Sequence, residues 1–434
     1  MRFPKVLVIS NNCFSYTNSN GRTLGNFFMN WDKDSLAQFY IQSELPSSDV
    51  CKNYYRITDS EILRSLFTFK QYGRILREHD IISNTEKTRT DTGFERIIKT
   101  SKTRRTPFLQ ILRNLLWYSK KWKTEIFDKW IAGFNPEIIL LQAGDSIFMY
   151  DIALSLSIQF NIPLVIYNSE DYYFKDRRSF SPIFHIHRRF LKKRFDNLMA
   201  NTAYVVYICN MLKDDFNKTF NVPGEAIYTA STFTSEYKEK NNDPPKISYL
   251  GNIGVERWKS LVEIGKAIQS INSDYYINIY TQNVPLEAKE YLTAENGIML
   301  KGSIPYVEVI KIMKESDVLL HVESFSDFAK WDLKHAFSTK IADSLSCGTC
   351  LFVYGPEEIA SIKYLKENKA AYIVSEKESL RNGLKEIIND KELRREIVKN
   401  ARILAQKKHN ANINQKRFEN IIRNVVENSI RARQ

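Results

Sequence analysis

Short apolar runs alternate along this chain with longer stretches in which apolar residues return every three or four positions. In the first half the runs are KVLVIS, LAQFYIQ, EIILLQAG, PLVIYNS and AYVVYIC; in the second they are KISYLGN, YYINIYT, DVLLHVE, TCLFVYG and AAYIVS. Runs this short, rich in Val, Ile, Tyr and Phe, read as strands, and the stretches between them as amphipathic helices. Strand and helix in alternation predict parallel sheets with crossover helices. Between the halves, KEKNNDPPK (238–246) gathers charge, Asn and a Pro pair, which marks a linker. The expected fold class is α/β, with two Rossmann-like, doubly wound domains facing across a cleft. One spans 1–237 and the other 247–408. A last helical stretch, 409–434, either packs back onto the first domain or stays solvated.

The 434 residues exceed what one ordinary core organises, in keeping with two domains. Hydrophobic residues at 43% and charged ones at 26% exclude disorder on a large scale. No apolar run reaches the roughly 18 residues of a membrane-spanning helix. The opening MRFPKVLVIS has too short an apolar run for a signal peptide and reads as a first strand. Five scattered cysteines suggest no disulfide framework, so a reducing cytoplasm is expected. The net charge of +13 implies an anionic partner, whether nucleic acid, an acidic membrane or a phosphorylated small molecule.

In doubly wound sheets ligands sit beyond the carboxyl ends of the strands. Three strand ends carry charged or glycine-rich turns. After the first strand, SNGRTLGNFF places Gly21 and Arg22 where a turn feeds a helix, a setting that favours an anion. After the linker, GNIGVERWK places Arg257 and Lys259 at a helix start, where positive charge opposes the macrodipole unless an anion is shared. An Arg there can fork onto phosphate oxygens. Third, HAFSTKIADSLSCG reads as a helix of about ten residues with Ser338 as its cap and Gly348 ending it. Lys340 and Asp343 then share a face near its positive end. They can be a solvated pair, or Lys340 can meet a phosphate while Asp343 accepts from two ribose hydroxyls.

With these residues in view, the second half resembles the nucleotide-binding domain of GT-B glycosyltransferases, most similar to family 4 of the retaining enzymes. GNIGVER falls on that family's Gly-Arg-Leu…Lys turn, with Arg257 at the diphosphate-binding Lys and Asn252 at the first basic position. HAFSTKIAD falls on the helix with two glutamates. His335 stands at the first, Asp343 at the ribose-holding second, and FSTKIADSL resembles a polysaccharide-assembly subset. SNGRTLGNFF falls on the glycine loop of the first domain. The resemblance implies that 1–237 binds the acceptor and 247–408 a nucleotide-diphosphate sugar, held by Gly21, Arg22, Gly251, Asn252, His335, Phe337, Ser338, Thr339 and Asp343. Arg257 and Lys340 would stabilise charge on the leaving diphosphate. It implies retention, no cofactor beyond the donor, and no metal.

Glu170 and Asp171 in NSEDYY end a strand and are candidate acceptor-side carboxylates, able to orient or deprotonate a hydroxyl; Gly144 and Asp145 in QAGDS are similar. Asp32–Asp34 precedes a strand, CGTC lacks a second pair, and His185 with His187 belongs to a basic surface helix, so none is expected to hold metal. The stretch 99–130 mixes Lys and Arg with Phe108, Leu112, Leu116, Trp117 and Trp122, a pattern for an acidic membrane surface. The expectation is a cytoplasmic enzyme, peripheral on the inner face of the membrane, moving sugar onto a lipid-linked or growing saccharide in cell-surface polysaccharide synthesis. The alternatives are a sugar-nucleotide epimerase of the same fold and a non-catalytic GT-B partner. A nucleic-acid protein is disfavoured, because the basic residues gather at strand ends rather than along one face.

Overall fold

The computed structural model describes residues 2–16, 19–68, 70–76, 80, 107–176, 179–240 and 242–434. The chain divides into two compact units, Met1–Ile227 with Asn414–Gln434, and Tyr228–Ile413. In the first unit the strands are β1 (Val6–Ser10), β2 (Leu36–Tyr40), β3 (Asn53–Arg56), β4 (Arg74–Leu76), β5 (Ile138–Gln142), β6 (Leu164–Asn168), β7 (Tyr204–Tyr207) and β8 (Gly224–Ala226). They form one sheet in the order β4-β3-β2-β1-β5-β6-β7-β8, parallel except where β3 meets β4. β1 lies at the switch between the two winding directions, with Val6 opposite both Leu36 and Ile138.

The second unit holds β9 (Ile247–Leu250), β10 (Ile277–Tyr280), β11 (Ile298–Gly302), β12 (Val318–Val322), β13 (Cys350–Tyr354) and β14 (Tyr372–Val374). All are parallel, in the order β11-β10-β9-β12-β13-β14. β1, β2, β5, β6 and β13 are buried at nearly every position, which is why they read as continuous apolar runs rather than alternating ones.

The last helix, Ala411–Arg431, joins the first unit's core from Asn414 onward. Phe418 stacks on Phe27 at 4.6 Å between centroids and meets Phe28 edge-on at 5.3 Å, and Ile421, Ile422, Val425 and Val426 lie in the same cluster. The division between units falls at 227/228 and 413/414, so 238–246 lies inside the second unit. Its polar residues are tied there: Lys240 Nζ donates to Ser316 O and Thr349 Oγ1, and Asn242 Nδ2 to Asp317 Oδ2. Just inside the second unit, His409 Nδ1 bonds Thr229 O at 2.6 Å and its Nε2 lies 2.9 Å from Tyr364 Oη.

Candidate functional site

In the second unit the winding direction reverses between β9 and β12, the place where a doubly wound sheet presents a ligand crevice. The turn after β9 is tightly built. Gly251 N donates to Tyr280 O at 2.9 Å, Asn252 Oδ1 accepts from Gly254 N, and Tyr249 Oη donates to Asn252 O. Val255 and Glu256 follow in the left-handed region, at φ 53° and 58°. A β-branched residue is held there only by its surroundings. The helix Arg257–Gln269 then begins, and the N–H groups of Arg257, Trp258 and Lys259 all bond back into the turn. The positive character of this site therefore comes from side chains rather than from free helix amides.

Two of those side chains are the predicted cations. Lys340 opens the helix Lys340–Ser346 and sends Nζ to Leu250 O, 2.9 Å away at the end of β9. A Cβ on Gly251 would lie 2.5 Å from that Nζ, so glycine is what lets the ammonium sit beside the turn. Arg257 is mostly buried and forks onto Glu323, Nε to Oε2 at 2.7 Å and Nη2 to Oε1 at 3.1 Å. Glu323 follows β12 directly and is 2% exposed. His321, on the same strand, is pushed down to about 3 by burial and then by Arg257 and Lys340, so it is neutral. Burial pushes the Glu323 carboxyl upward, with Arg257 opposing.

Asp343 lies one turn after Lys340, buried, and accepts from Tyr306 Oη at 3.0 Å. Tyr306 is 42% exposed and starts the helix Tyr306–Glu315, four residues after the end of β11. Four residues before it stands Gly302, at φ +75° with open space around a would-be Cβ. The helix carrying Lys340 is seven residues long, shorter than expected, and its cap position is Thr339, not Ser338; the Thr339 hydroxyl makes no capping bond. Ser338 contributes its carbonyl, accepting from Ile341 N. Gly348 ends the element at φ +75°, as expected. His335 is buried. Phe337 is buried against Tyr228, Tyr364 and His409, a packing role for its ring.

In the first unit, Gly21 lies within the helix Ser19–Asn26, where a Cβ would meet Cys13 O at 2.3 Å; glycine is needed for close approach to the loop after β1. Arg22 is half-buried on the same helix. Glu170 is exposed and accepts from Tyr172 Oη, whereas Asp171 is buried and accepts from the N–H groups of Tyr173 and Phe174. Asp171 thus shapes the turn. Asn168, at the carboxyl end of β6, is 1% exposed, and both its amide O and N lack a hydrogen-bond partner among the described residues. Sequence reasoning passed over it, although a polar residue closing an apolar run is a usable signal.

The basic stretch 99–130 divides differently from its sequence reading. Arg104 and Arg105 lie outside the described residues. Trp117 and Trp122 are core residues, with Trp117 stacked on Phe148 at 4.3 Å. Arg113 pairs with Asp59 at 3.0 Å. The helix Pro107–Tyr118 leaves Phe108, Leu109, Leu112 and Leu115 exposed. Asp32 caps the short turn Lys33–Ser35, and Cys347 and Cys350 are buried free thiols that burial pushes upward. His187 is buried rather than on the surface, while His185 is exposed.

Comparison with known proteins bears on this geometry. Residues 265–422 match the family model described as glycosyl transferase-like. No curated protein matches the chain. Among solved structures, sucrose-phosphate synthase from Thermosynechococcus elongatus is 13% identical, with a TM-score of 0.60 over 98% of this chain and 99% of that one. Anabaena HepE in complex with UDP and glucose is 10% identical, with a TM-score of 0.61 over 97% and 100%. WaaG, a glycosyltransferase involved in lipopolysaccharide biosynthesis, is 11% identical, with a TM-score of 0.56 over 95% and 98%. The fold is GT-B. A glycosyl transferase-like domain within a GT-B fold supports a glycosyltransferase.

Proposed function

We propose that this protein transfers a sugar, with retention, from a nucleotide-diphosphate sugar to a saccharide or lipid-linked saccharide, in the assembly of cell-surface polysaccharide. The observation that carries the reading is the meeting of Lys340 with the glycine turn of Arg257 at the β9–β12 switch, with Asp343 one turn beyond. Lys340 and Arg257 are the cations for the diphosphate, whose charge grows as the glycosidic bond breaks. Asp343 accepts from the ribose hydroxyls in place of Tyr306. Gly251, Asn252, His335, Ser338 and Thr339 complete the donor's surroundings. Within the first unit, Gly21 and Arg22 are the candidates for contact with an anionic group, and exposed Glu170 is the candidate to orient an acceptor hydroxyl. HepE's complexes with UDP and UDP-glucose make a UDP-sugar the first donor to try.

Side-chain cations stand in for a metal in this reading, and no cofactor beyond the donor takes part. The enzyme works in the cytoplasm, on the inner face of the membrane where a lipid-linked acceptor resides. Incubating the purified chain with a panel of nucleotide sugars and measuring nucleoside diphosphate release, with and without EDTA, tests this. Release from one donor, unchanged by EDTA, is the expected outcome. Turnover that EDTA abolishes and manganese restores contradicts the cation mechanism, and an epimerised donor without transfer favours the epimerase.

A further inference from the structure

A buried carboxylate beside a site for a diphosphate requires an explanation. It opposes anion binding by like charge, and taking it out of water is unfavourable unless it is paired and hydrogen-bonded. Glu323 is such a group, 2% exposed and bonded through both oxygens to Arg257. Its backbone is fixed at both ends: Glu323 N donates to Tyr354 O at 3.0 Å, and Glu323 O accepts from Ser260 Oγ at 2.9 Å. Ser260 is on the same helix as Arg257, so the carboxylate is locked to the element that carries its partner. His321 Nε2 lies 3.8 Å from Glu323 Oε1, beyond hydrogen-bond reach, and is neutral. The fork uses the Nε–Nη2 edge of the guanidinium and does not use Nη1.

We propose that Glu323 is a positioning residue, which grips Arg257 by its Nε–Nη2 edge and presents the Nη1 end to the diphosphate leaving group. The inference rests on the donor-site reading above and adds to it a residue that touches no substrate. A free arginine side chain samples many rotamers, and alignment with charge that develops only in the transition state is lost when it does. Glu323 supplies that alignment at the cost of some positive charge in the site. The two effects separate in experiment: ground-state anion binding follows net charge, whereas turnover follows alignment. A lysine at position 257 keeps the charge but cannot be held by a fork.

The test uses the full chain, with inorganic pyrophosphate as the binding probe and donor turnover as the rate. Glu323→Gln is expected to lower kcat at least tenfold while pyrophosphate binds as well as to wild type, or more tightly. Arg257→Lys should lower kcat comparably, and the double variant should be no slower than the slower single one, because Glu323 acts only through Arg257. A Glu323→Gln enzyme with kcat within twofold of wild type overturns the proposal. So does one that loses kcat and pyrophosphate affinity together, as for a merely structural ion pair, or a double variant whose losses multiply. Wild type that binds no pyrophosphate contradicts the donor-site reading itself.

Discussion

Among single residues, charge and burial decide the most. Arg257, Lys340 and Asp343 stand out in the sequence as charged residues in the first turns of helices, and the structure brings Lys340 to the turn that precedes Arg257. Glu323 does not stand out. It follows DVLLHV as any solvated strand end would, and its role depends on a partner 66 positions away. Two other buried residues give a stability prediction. His321 is pushed down to about 3 by burial with Arg257 and Lys340, and His409 to about 4, chiefly by burial. In the unfolded chain both return to near 6.5. As pH falls below 6.5 the unfolded chain takes up protons that the folded one refuses, so the stability present above that value is lost, by on the order of 2 kcal/mol per histidine at pH 5. The unfolding temperature should therefore drop between pH 7.5 and 5, and His409→Gln should flatten the slope; a temperature constant over that range contradicts the assignment.

At the scale of elements, every strand read from an apolar run is present, because strands covered on both faces leave a continuous signal. β3, β4, β8 and β11 were missed for physical reasons. β3 (Asn-Tyr-Tyr-Arg), β4 (Arg-Ile-Leu) and β8 (Gly-Glu-Ala) carry polar or glycine residues that leave no apolar run, and β11 exposes most of its side chains. The stretch 238–246 has a linker's composition but is held by hydrogen bonds that a sequence does not display. The helix Pro107–Tyr118 shows the opposite error: the basic and aromatic pattern was real, yet it mixed two faces. Trp117 and Arg113 serve the interior, while Phe108, Leu109, Leu112 and Leu115 face outward. If this helix docks on an acidic leaflet, its contacts are these four residues with exposed Lys120 and Lys121 beside them. The protein should sediment with acidic liposomes at low salt and less at high salt. Phe108→Ser with Leu112→Ser and Leu115→Ser should abolish sedimentation and spare turnover. A wild type that ignores such liposomes rules the docking face out.

For the whole molecule, two parallel sheets, each with a switch point near its middle, account for the GT-B likeness at identities of 10–13%. Alternation of strand and helix is enough to specify that architecture, and little of the rest of the sequence is constrained by it. An excess of 13 positive charges favours anionic ligands in general, and the proposed donor site rests on three side chains at two helix starts, Arg257 on one and Lys340 with Asp343 on the other. The central claim is that these helix starts hold a nucleoside diphosphate. Calorimetric titration of UDP, then ADP and GDP, into wild type and Asp343→Asn tests it most directly. Asparagine keeps the shape beside Tyr306 but removes the charge that would accept from both ribose hydroxyls, a loss of about 1–3 kcal/mol. The account predicts that one nucleotide binds wild type at one equivalent and binds Asp343→Asn at least tenfold more weakly. Equal affinity in the two proteins, or no binding of any of the three to wild type, would contradict it.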